Sequence, residues 1–536
     1  MKVTIRTLIT MGLAFAAVLV VHTAQAAQNN RKLSGAMPAF GDVSNIAPLI
    51  SPDGQYVVYV ADQATDGANE LWSTLLSGTG TPVRLNGALP PATGITNFAI
   101  TSDSRRVVYL APQDTPGKTE LYSVPITGGL TSKLNAALPA TGDVVNFKLS
   151  PDGTHVVYLA APDTPSVSDL FSAPIGGGTV ITLNGALPPG GSVSFYDISA
   201  DSSRVVYLAD QDMDDRTELY SVPLTGGLST KLNGTPVAGG DVQCCNLAIS
   251  TDNTRVVYLA DQDIDDLIEL YSVPLLGGST TKLNGTLAAG GHVLSFQISH
   301  VSGRVVYWAD QDTAGVTELY SVPTAGGAAT KLNGPLAIGG DVNFYAISAD
   351  GARVVYSGDQ EADNVTELYS VPTAGGSTTK LNGALVAGGD VFLWAIGPDS
   401  SRVVYFANQD TVTTVELYAV PIAGGASVKL NGPIVTGGSL LSFQITPDSS
   451  GVVYRATQDV PTIIEFYGVA ITGGPVSKLN GALTTGRNTT VSTLNNQSVV
   501  YAADQDTDNV FELYASDIDF STGGGGFKVY LPLVLR

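Results

Sequence analysis

Residues 204–223 read RVVYLADQDMDDRTELYSVP. Two short runs rich in Val, Tyr and Leu flank an acidic, irregular middle. Such runs, bounded by Asp and Pro, predict two strands of one hairpin. The pattern recurs along the chain. A VVY triplet ends at Tyr59, Tyr109, Tyr158, Tyr207, Tyr258, Tyr307, Tyr356, Tyr405, Tyr454 and Tyr501, at spacings of 47 to 51 residues. Eleven residues after each tyrosine stands an acid: Glu70, Glu120, Asp169, Glu218, Glu269, Glu318, Glu367, Glu416, Glu465 and Glu512. That offset never varies, so length changes fall elsewhere and the hairpin is a fixed unit. Ten copies at this period predict a repeat architecture, not several unrelated domains.

Each unit reads as four short strands. In the third they are VVNFKLS (144–150), HVVYLA (155–160), DLFSAPI (169–175) and VITLN (180–184). Pro151-Asp152-Gly153 makes a tight turn after the first, and a glycine run turns the chain after the third. The second strand is apolar on both faces, as expected where a sheet packs between two others. No segment after the N-terminal 26 residues shows a sustained helical period. Four strands per ~50 residues, repeated, predict an all-β propeller with one blade per repeat.

The order S-P-D-G-x-x-V-V-Y, E-L-Y-S-V-P, G-G, K-L-N resembles the TolB-type WD40-like propeller repeat over about residues 31–516. The Gly-His and Trp-Asp marks of WD40 and the tryptophan of kelch are absent. The resemblance implies a propeller fold in a family with many functions. Some of its members carry a serine-peptidase domain after the propeller; with so few residues after Ser516, none is expected here.

The two ends predict closure. KLSGAMPAFGDVSNI (32–46) matches KLNAALPATGDVVNF (133–147), so the chain begins with a fourth strand. The tenth unit stops after its third strand, near Ser516. The N-terminal strand is expected to complete that blade and remove its open edge; the tail GGGGFKVYLPLVLR (523–536) is the competing candidate. One ring of ten blades is expected, with two five-bladed rings as the alternative. No linker interrupts the chain between Tyr258 and Tyr307, where a second ring would begin.

Residues 1–26 carry a basic start, an apolar run and Ala24-Gln25-Ala26, the pattern of a secretory signal. Residues 27–520 then form the propeller, and 521–536 a Gly-rich linker with a short apolar tail that resembles sorting signals. The expected location is secreted, periplasmic or cell-surface, without a transmembrane span in the mature chain. The formal charge is −22, which disfavours nucleic acid and anionic lipid as partners. A monomer is expected. The cysteines are adjacent, Cys244-Cys245. Neighbours on a strand point to opposite faces, so two buried thiols are expected ahead of a vicinal disulfide. Asn233 and Asn284 begin sequons that matter only in a glycosylating host.

In a propeller the second-to-third and fourth-to-first loops share a face. The acidic loops therefore meet Asp42, Asp143, Asp241, Asp341 and Asp390 there, predicting an electronegative surface around the channel. Alternating acids suit a hard cation such as calcium. Four repeats carry all three: Asp210/Asp212/Asp214, Asp261/Asp263/Asp265, Asp359/Glu361/Asp363 and Asp504/Asp506/Asp508. Elsewhere the last position is Pro, Ala or Val in five repeats, and the EF-hand spacing is not met, so a calcium site in every blade is disfavoured. Gln211, Asp212 and Glu218 belong to the recurring set and are expected to be structural, whereas Asp210, Asp214 and Asp215 vary. The repeated arginines (Arg106, Arg204, Arg255) and lysines (Lys133, Lys231, Lys282) predict interblade ion pairs or solvated edges.

Motifs for a serine nucleophile elbow or a zinc helix are absent; of His155, His292 and His300 the last two are near each other in sequence but lack a third ligand for zinc. The leading expectation is a non-enzymatic scaffold that binds a protein, carbohydrate or cationic ligand on its acidic face. A carbohydrate-active hydrolase or lyase using channel carboxylates, and an envelope structural component, are the alternatives. Near-uniform loops favour the scaffold.

Overall fold

The computed structural model describes residues 30–520, except 39, 91 and 162–166. The proposed signal segment and tail lie outside these residues. Every regular element described is a β-strand, and the strands form ten antiparallel four-stranded sheets. Blade 4, which contains the opening hairpin, comprises Val193–Ile198, Arg204–Ala209, Glu218–Pro223 and Thr230–Lys231. The outer strand is only two residues long, and the expected VITLN strand of blade 3 shrinks likewise to Ile181–Thr182.

Strand periodicity explains why the second strand is apolar throughout. Successive side chains point to opposite faces. Val205, Tyr207 and Ala209 pack against Val157, Leu159 and Leu170 of blade 3, while Val206 and Leu208 pack against Val256, Tyr258 and Ala260 of blade 5. Across the hairpin Tyr207 pairs with Tyr220, and their rings stack at 5.3 Å. The same stack recurs at Tyr109–Tyr122, Tyr307–Tyr320 and Tyr454–Tyr467.

Ten such interblade cores run in a closed cycle. The tenth joins Val57, Tyr59 and Trp72 of blade 1 to Val500, Leu513 and Ala515 of blade 10, with Leu33 between them. The chain is therefore one ten-bladed ring, and the two-ring alternative is excluded. The N-terminal strand Arg31–Lys32 is the outer strand of blade 10, in register with Ala515 and Tyr514. Arg31 also donates to the Leu76 carbonyl of blade 1 at 2.7 Å.

The first strands are the inner edges. Lys148 of blade 3 donates to the Tyr196 carbonyl of blade 4 at 3.0 Å, and Gln297 of blade 6 to the Tyr345 carbonyl of blade 7 at 3.3 Å. The double-glycine turns let outer edges nest. Gly226 has φ +86°, and a Cβ there would lie 2.6 Å from Ile181 Cγ2 of the preceding blade.

Candidate functional site: loop face and channel wall

The acidic loop of blade 4 resolves into distinct positions. Asp210 accepts the amide N–H of Ser192, at the entrance to the same blade. Its counterparts Asp62, Asp261, Asp310 and Asp504 take the amides of Asp42, Asp241, His292 and Asn488 in the same way. The second oxygen of Asp62 and of Asp310 accepts the amide five residues on, at 3.0 Å in each. The first aspartate thus ties two loops together.

Gln211 joins blades. Its amide oxygen accepts the Tyr207 hydroxyl at 2.8 Å and the N–H of Gly185, just past the outer strand of blade 3, at 2.7 Å. Gln113, Gln311, Gln360 and Gln409 repeat both bonds. At the ring closure Gln63 takes Tyr59 and Gly35.

Asp212 pairs with Lys231 at 3.2 Å, and Lys231 also contacts Glu218, which is fully buried. Glu218 accepts the Tyr220 hydroxyl at 3.1 Å. Burial works against ionisation of Asp212, but its lysine partner outweighs this and holds the carboxyl below its ordinary value. These ion pairs lie within a blade, whereas the sequence led us to expect interblade pairs or solvated edges. The arginines instead reach a serine of their own blade: Arg204 Nε donates to Ser221 Oγ at 2.7 Å.

The aspartates of the fourth-to-first loops are also engaged between blades. Asp241 accepts the Thr217 amide at 2.7 Å, Asp341 that of Thr317 at 2.6 Å, and Asp42 that of Phe511 at 2.6 Å across the closure. Burial raises the Asp42 and Asp241 carboxyls despite these bonds. In blade 6 His292 stands in this position and accepts the Ile268 amide through Nδ1 at 3.3 Å.

The alternating acids therefore do not converge as sets. Asp212, Asp263, Glu361 and Asp506 face Lys231, Lys282, Lys380 and Lys32. Asp210, Asp359 and Asp504 bind protein N–H groups. Asp214, Asp265, Asp363 and Asp508 are exposed at the loop tips. Among the described residues one acidic trio has ligand atoms within 4.8 Å of one another: Asp261, Asp265 and Asp266 of blade 5. Asp266 was outside the sequence-based set; its φ of +64° turns the loop tip back on itself.

Two features escaped sequence reasoning. The first is an apolar arc on the inner strands, where Leu294, Phe344, Phe392, Leu393 and Leu441 are exposed. Phe344 meets Trp394 of the next blade at 5.2 Å between ring centres. The adjacent apolar pairs in VNFYAI and VFLWAI carried this signal. The second is blade 8, whose central strands continue to Thr411↔Thr414 beyond the usual hairpin. A cavity of about 560 Å³ lies beside this extension, lined by Asp410, Glu416, Lys429 and Ile434 among others. The loops are thus less uniform than the sequence led us to expect.

Solved structures resemble the chain at low identity. The putative TolB of Agrobacterium tumefaciens is 20% identical, covering 44% of this chain and 79% of that one, with a TM-score of 0.27. The dipeptidyl peptidase 4 of Porphyromonas gingivalis is 12% identical over 78% of this chain and 65% of its own, TM-score 0.48. A prolyl oligopeptidase B of Galerina marginata is 11% identical over 70% of this chain and 56% of its own, TM-score 0.37. This chain thus spans less than two thirds of the length of either peptidase. No protein-family model and no curated protein matches it.

Proposed function

We propose that this chain is an exported, non-enzymatic propeller that offers its acidic loop tips to a cationic ligand. The reading rests on the division of labour among the carboxylates. Those near the blade body bind amides and lysines, whereas Asp214, Asp215, Asp265, Asp266 and Asp363 project at the tips. Charges held on a rigid rim attract cations without prior ordering of the loops. Recurrence of the same bonds from blade to blade supports a scaffold. Calcium fits best at blade 5, through Asp261, Asp265 and Asp266.

Calorimetric titration tests both forms of cation. One arm uses calcium chloride and the other a lysine-rich peptide, each at low and physiological ionic strength. Salt-sensitive binding that is lost in a quadruple Asp→Asn variant at 214, 215, 265 and 266 is expected. Absence of binding in both arms, or binding unchanged in the variant, would overturn the reading.

A further inference from the structure

Blade 5 has the longest repeat interval, 51 residues from Tyr207 to Tyr258, and the extra length falls in its inner strand, Val242–Ile249. The ladder with the second strand breaks between Val242 and Leu247. Both cysteines of the chain lie in that break. They are exposed on the inner strand, not buried as the sequence led us to expect. Pleat alternation fails here because Cys245 adopts φ +64°, outside the strand region. The two sulfurs consequently lie together, 2.9 Å apart. The first strands of blades 4 and 6 flank this one.

We infer that Cys244 and Cys245 form a redox-active dithiol on the channel wall, closing to a vicinal disulfide by exchange with small-molecule disulfides. The geometry supports closure, since a covalent bond of ~2.05 Å asks for about an ångström of sulfur movement. It also supports reopening. Adjacent α-carbons are ~3.8 Å apart, below the usual disulfide span of ~4.4–6.8 Å, and such bonds are more reducible. The unpaired inner-strand segment accommodates the change without breaking the hairpin of the blade. Partial desolvation and the neighbouring sulfur push the Cys244 thiol up to about 11.

The exchange balances. One cysteine gives its proton to solvent, attacks an external disulfide RSSR, and displaces one thiolate, which takes up a proton. The second cysteine then attacks the protein sulfur of the mixed disulfide and displaces the other RSH. One RS–SR bond and two protein S–H bonds are lost, and one protein S–S bond and two RSH are gained.

The test treats the reduced full chain with excess oxidised glutathione and reads intact mass and thiol content. The expected result is loss of two hydrogens in mass and of both thiols without a retained adduct, followed by recovery of both thiols under excess reduced glutathione. Cys244→Ser should instead retain one stable glutathione adduct, because the second thiol is gone. Persistent thiols, a stable adduct on the parent chain, a disulfide-linked dimer, or a disulfide that resists reduced glutathione would each overturn the inference.

Discussion

At the residue scale, one glutamine connects two blades. Gln311 is buried and accepts from both the Tyr307 hydroxyl and the Gly285 amide. Gln311→Ala would leave both donors unpaired, at a cost of about 1–3 kcal/mol. Asp312→Ala, which removes an exposed partner of Lys331, should cost less than about 1 kcal/mol. Urea unfolding of both variants checks the order, and an equal effect would count against the interblade role. A second prediction concerns pH. The Ser199 hydroxyl, 2.6 Å from Asp201, holds that carboxyl below its ordinary value. A lowered carboxyl in the folded state contributes stability above its unfolded value and loses it as pH falls through the folded one. The stability gap between the parent chain and Ser199→Ala should therefore be widest above about pH 5 and shrink towards pH 2. Unfolding measured across that range would contradict this if the gap stayed constant or grew on acidification. The persistence of Gln211 and Glu218 among the repeats marked them as structural before any geometry was known. Asp210 stands outside that set in the sequence because Asn408 and Thr457 fill its place in two other blades, yet both still accept the same amide. Side chains of different name meet one need, which residue identity alone conceals.

At the element scale, the hairpins and tight turns were legible because Val-rich runs and Pro-Asp-Gly have strong local preferences. The N-terminal strand was legible for another reason: it repeats a sequence seen elsewhere in the chain. Its contribution is more than two ladder residues, because Leu33 fills the core between blades 10 and 1. Leu33→Ala should destabilise the chain by about 2–5 kcal/mol. Removal of residues 27–34 should lower the melting temperature and promote self-association through the freed edge of Glu512–Asp517. Light scattering during thermal unfolding reads both effects; an unchanged melting temperature and a monomeric truncated chain would show that the clasp is dispensable. The cysteine bulge was not legible. Two extra residues in an inner strand do not announce which residue will leave the β region, and that choice turned two sulfurs from opposite faces to one.

At the scale of the whole molecule, the loop acids form a graded system. The innermost bind amides, the next hold lysines, and the tips face solvent. This gradation explains how a chain with a formal charge of −22 places many carboxylates on one face of the ring. Most of those charges have a proton donor or a cation beside them, and the remainder stand apart at the rim. The ring size follows from the repeat count only because the ends meet. The same bonds that join blades elsewhere, through Gln63 and Asp42, also cross the junction of blades 10 and 1. The most direct measurement is electron cryomicroscopy of the full chain in face-on views. A single closed ring with ten radial blades, and density from the N-terminal strand at the edge of the last, is the predicted result; two smaller rings, or an open arc with a gap between blades 10 and 1, would contradict it.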